Sequence, residues 1–176
     1  LALLAALLGS ALAPTLPLVW LALEGAVLAT ALLTGLDEAP GAREAAWRAL
    51  MVSAVGLAPA LCATVLLAST TEAGALDHLR VVRVAFLFAV AGLGAVAGLA
   101  PVHAWRGHVA SATSAPLAAL LTIALPMSAV GALLRVHALA VPMLGSTWPH
   151  TTLAVAGLLA LLVAVPFVLV QDDARR

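Results

Sequence analysis

LPLVWLALEGAVLATALLTGL, residues 16–36, is an apolar run interrupted by a single carboxylate, Glu24. Crossing a bilayer takes about 20 mainly apolar residues in a helix, and this stretch has that length. Backbone amides in hydrocarbon must be satisfied within their own segment or in a closed barrel. No alternation of polar and apolar positions marks a barrel strand here. The stretch therefore reads as a transmembrane helix.

The rest of the chain agrees. Its 176 residues are 64% hydrophobic and 9% charged, with a mean hydropathy of +1.17. A soluble domain needs about a quarter of its residues charged to cover its surface, so lipid is the solvent. Net charge is zero, which leaves no basic footprint for nucleic acid. Four further apolar stretches, 49–69, 84–105, 116–134 and 151–170, join the first. Residues 1–13 are either a signal-peptide core or part of a membrane helix. The missing basic n-region favours the helix. The expected fold is all-α, a polytopic transmembrane bundle forming one domain over 1–176. Beginning at Leu1, the chain reads as a fragment of a longer protein.

Every basic residue is arginine. Arg43, Arg48, Arg106, Arg175 and Arg176 fall on one side of the expected bundle, and Arg80, Arg83 and Arg135 on the other. The excess favours the first side as cytoplasmic. Cys62, alone in an apolar run, is expected to fill a packing gap.

Glu24 sits roughly 12 Å into its helix. An ionisable group at that depth costs a few kcal/mol and faces the bundle interior, a wet cavity or a partner. It is a proton carrier, or a protonated carboxyl that glues helices by hydrogen bonding. Gly92, Gly94, Gly98 and Pro101 cluster in the 84–105 stretch. Glycines permit close helix approach, and proline deletes a backbone hydrogen bond, so the cluster is a packing kink or a helix break. His103 suits a proton relay, and beside Trp105 it also suits an interfacial anchor. His78, His108, His137 and His150 read as loop or helix-end residues. Their spacing fits no metal motif, and no nucleophile or phosphate-loop signature occurs.

Three blocks carry a resemblance. GLAPVHAWRGHVASATSAPLAALL, residues 98–121, resembles the signature of the antiporter-like subunits of respiratory complex I and membrane-bound hydrogenases. PLVWLALEGAVLATALL, residues 17–33, and EAAWRALMVSAVGLAPAL, residues 44–61, are similar to two other blocks of that family, in the same order. The nearest form is the hydrogenase 4 type, component F, of which this chain would cover roughly the fourth to ninth helices. The resemblance implies a subunit with no redox centre and no cofactor. It would sit in the bacterial inner membrane beside other membrane subunits and pass protons, or sodium ions, through a broken-helix half-channel. By the same resemblance Glu24 is the family glutamate, Arg48 replaces its partner lysine, and His103 follows a break formed by Gly94, Gly98 and Pro101.

The departures from the family pattern concern charge. Its lysine in the broken helix stands here as Val96, and the polar position of the next helix as Met127. Arginine stays protonated at all relevant pH, so Arg48 is no titratable substitute. Three functions follow: a proton-translocating subunit, a structural subunit of the same membrane arm that has lost its channel, or an unrelated secondary transporter with Glu24 in its solute site.

Overall fold

The computed structural model describes residues 1–36, 40–69, 75–99 and 118–170. Among them are six α-helices: α1 (Ala2–Leu12), α2 (Leu16–Gly35), α3 (Ala42–Ser69), α4 (Ala75–Ala97), α5 (Leu125–Leu144) and α6 (Thr147–Val170). A π turn, Leu120–Ala124, leads into α5. Five segments are long and apolar enough to cross a membrane: Leu16–Gly35, Ala42–Ser69, His78–Ala97, Thr122–Leu144 and Thr147–Pro166. The described chain is thus an all-α helix bundle.

Local chemistry sets several helix ends. Pro17 occupies the first turn of α2, where its missing N–H and fixed φ cost nothing. Gly98 closes α4 with φ +90°. There the Gly98 amide donates to the Ala95 carbonyl at 3.3 Å, and the Leu99 amide to the Gly94 carbonyl at 2.8 Å. This paired arrangement is the Schellman stop, which satisfies carbonyls a helix end would otherwise orphan. Gly145, at φ +77°, ends α5. The π turn stands just before Pro126, which has no N–H for the carbonyl one turn back. A widened turn gives its ring room.

Helix boundaries move from the hydropathic expectation for a common reason. The helix expected at 84–105 runs from Ala75 to Ala97. The one expected to stop at Leu134 continues to Leu144, and those expected from 49 and 151 begin at Ala42 and Thr147. Charged and polar residues end an apolar window but not backbone hydrogen bonding, which α4 and α5 carry on to Gly98 and Gly145, both at positive φ.

The helices pack antiparallel around small side chains. The α3–α4 contact is the most extensive. A Cβ on Gly92 would lie 2.8 Å from Ala60 Cβ and 2.9 Å from the Gly56 carbonyl oxygen, and one on Gly56 would lie 3.0 Å from Ala95 Cβ. Lipid tails are as apolar as leucine, so helices adhere through such close packing rather than through exclusion of water. Trp20 of α2 adds a hydrogen bond, its indole N–H donating to the Leu57 carbonyl of α3 at 2.9 Å. Hydroxyls inside the helices mostly bond their own backbone, as Thr30 does to Ala26 and Thr64 to Leu61. Cys62 is exposed on the outer side of α3. It fills no gap, because its neighbours Ala60 and Ala63 take the buried positions.

Candidate functional site

Glu24 lies near the middle of α2, half-buried, and its Oε2 is enclosed without a hydrogen-bond partner among the described residues. Leaving a buried acceptor unmet costs about 1–3 kcal/mol, more if it is charged. Register places its neighbours. Gly35 of α2 abuts Ala46 of α3, so Glu24 stands at the level of Leu57. Gly56 abuts Ala95 of α4, so Val96 lies within one turn of that level. Among the described residues the hydroxyls of Ser53 on α3 and Thr34 on α2 are also enclosed and without a hydrogen-bond partner.

The structure brings the candidate residues together only in part. Val96 is 1% exposed, inside the apolar core. Met127, on α5, points outward. Arg48 does not reach Glu24: it is exposed, and its Nη2 pairs with Glu44 Oε1 one helical turn away at 2.5 Å. Along α3 it stands roughly 13 Å from the Glu24 level. Gly94 lies beneath the Leu99 side chain, where a Cβ would meet Leu99 Cδ1 at 2.7 Å. Gly94 and Gly98 together terminate α4. Pro101 and His103 lie outside the described residues.

A family model described as "NADH:quinone oxidoreductase/Mrp antiporter, TM" matches residues 13–176. This chain belongs to that family. Over 135 residues it is 29% identical to a hydrogenase-4 component F homolog of Methylacidiphilum infernorum (isolate V4), an alignment covering 67% of this chain and 28% of that protein. The chain thus spans well under half of the relative's length. No solved structure matches it. Membership sets aside an unrelated transporter and makes this antiporter-family chain a multi-pass membrane protein.

The antiporter-family fold also holds polar groups that the sequence leaves in loops. Arg135, expected beyond the end of a helix, lies inside α5. Its guanidinium donates to the Ala13 carbonyl at 2.7 Å and to the Ala11 carbonyl, meeting acceptors at the end of α1 that have no helical partner. It borders an open groove of about 670 Å³ between α1, the start of α2 and α5. His137, two positions on, is half-buried, its Nε2 enclosed and without a hydrogen-bond partner among the described residues. The available sequence signal was the apolar run after RVH, residues 135–137, which carries the helix on to Gly145.

A small cavity of about 20 Å³ lies between α2, α3, α4 and α5, walled by Trp20, Thr64, Leu93 and Val136 among others. Trp20 and Thr64 direct their hydrogens to the Leu57 and Leu61 carbonyls. A water there would find few partners.

Proposed function

We propose that this chain is part of a proton-translocating, antiporter-like subunit in an NADH:quinone oxidoreductase or membrane-bound hydrogenase complex of the bacterial inner membrane, with Glu24 as the proton-carrying group. The observation that carries the reading is the enclosed oxygen of Glu24, without a partner among the described residues. A carboxyl serving as helix glue would donate to a neighbouring acceptor. One kept for proton transfer is held in the interior with a free oxygen. Other membrane subunits and the surrounding lipid are the partners this function requires.

The buried Val96 favours a second reading. A valine packed in the core at the Glu24 level supplies no titratable cation to the half-channel, which fits a subunit retained for architecture. Glu24→Gln in the complete complex, reconstituted in sealed vesicles, separates the two. Proton transfer should fall at least tenfold, with electron transfer and subunit content retained. Unchanged proton uptake would leave the architectural reading. Repeating the assay with sodium in place of a proton gradient identifies the coupling ion.

A further inference from the structure

The turn between α1 and α2 and the later half of α5 frame the open groove of about 670 Å³. Its walls are mostly apolar, with Leu12, Leu16, Val19 and Leu139 among them. Leu12 is 80% exposed and Leu139 49%, so the groove opens on the outer surface of the bundle. One charged side chain lines it, Arg135.

Arg135 is held in place but not neutralised. A guanidinium has five N–H donors. Two of them go to the carbonyls of Ala13, at 2.7 Å, and Ala11. Both acceptors are uncharged, so the positive charge stands and three donors are left over. The helices that wall the groove hold one carboxylate, Glu24, and it lies roughly 12 Å along α2 from Leu16. Among the described residues no carboxylate pairs with Arg135.

The level of this charge is set by α2. Its apolar span starts at Leu16, so the turn that holds the guanidinium lies at the edge of the hydrocarbon layer. The same end of the bundle carries Trp148, with the Arg83 guanidinium 5.9 Å from its ring centroid, and the edge-to-face rings of His137 and His150. Tryptophan gathers at the level of lipid headgroups.

We propose that this groove binds one anionic phospholipid, its phosphate on Arg135 and an acyl chain along the apolar walls. The lipid brings the missing negative charge to the bilayer edge, where the cation stands, and its tail matches the leucine and valine lining. A free anion would match the guanidinium and leave the walls without a partner. A helix from a neighbouring chain would match the walls and leave the charge unmet, unless it brought an acid to the same level. Basic pockets between membrane helices hold acidic headgroups in this way, and the volume falls in the range of roughly 300–1,000 Å³ common to small-ligand sites. The site does not depend on Glu24 carrying protons.

The test places the complete complex in nanodiscs of phosphatidylglycerol and phosphatidylcholine in equal amounts. A trace of either lipid carries a photoreactive group on its acyl chain, and labelled peptides are read by mass spectrometry. Residues 12–19 and 135–139 should be labelled about fivefold more by phosphatidylglycerol than by phosphatidylcholine. Arg135→Gln should remove that preference. Because this change also frees the α1 carbonyls, Ala138→Trp supplies a second variant. It fills the groove from an exposed position, leaves Arg135 in place, and should lower labelling by both lipids. Equal labelling by the two lipids in the wild type would overturn the site and leave a surface merely wetted by lipid. Labelling of these segments by neither would overturn it in favour of a protein helix covering the groove. Excess glycerol phosphate should leave the labelling unchanged, and its loss would overturn the lipid in favour of a free phosphate.

Discussion

At the residue scale the informative pair is Glu24 and Val96. Both lie near one level of the bundle, the first with an unmet oxygen and the second 1% exposed in apolar packing. Restoring the family's lysine tests what that packing will accept. Val96→Lys places an unpaired ammonium in the core, a cost of about 3 kcal/mol or more, and the variant is expected to lose assembly in the membrane fraction. Met127→Lys, at a site 61% exposed, should assemble better. Equal assembly of the two would mean that Val96 borders water. Glu24 itself is legible in sequence because an ionisable group in an apolar run costs at least a few kcal/mol. Its missing partner is not legible, because Arg48 is in the sequence and only the structure shows it paired with Glu44, one turn back on the same helix.

At the scale of elements, the crossing of α3 and α4 depends on the absence of a side chain at Gly92. A methyl group there would meet the Ala60 Cβ at 2.8 Å and the Gly56 carbonyl oxygen at 2.9 Å, both fixed by helix backbone. Gly92→Ala should therefore cost about 1–3 kcal/mol through overpacking, despite the better helix propensity of alanine. Gly131 in α5 has nothing within 4 Å of an added Cβ. Gly131→Ala should be neutral or stabilising by up to about 1 kcal/mol. Thermal unfolding of both variants in detergent checks the contrast, and a matching shift in the two would show that the crossing tolerates a methyl group. Glycine content announces close packing in the sequence. Which glycine lies against a neighbouring backbone does not follow from it.

At the scale of the whole molecule, Arg135 ties the end of α1 to α5 across more than 120 positions of sequence. Arg135→Ala should leave the Ala11 and Ala13 carbonyls unmet and cost about 1–3 kcal/mol. Hydrogen–deuterium exchange should then rise over residues 2–13 and stay unchanged in α3. A rise spread evenly over the bundle would show that Arg135 does not anchor α1 in particular. Arg135→Lys should recover part of the effect, since an ammonium cannot fork between two carbonyls as a guanidinium does.

The sequence by itself determined the solvent, the helical class, the family blocks and Glu24 as the odd charge in a membrane helix. Each of these depends on composition or on order along the chain, and a bilayer permits few answers to such a composition. Tertiary structure decided that Val96 is sealed in the core and that His137 meets His150. Those outcomes depend on how separate helices fit together, which the small residues in contact across α3 and α4 set for Val96. A hydropathy pattern records which residues prefer lipid, but not which faces of two lipid-soluble helices fit together.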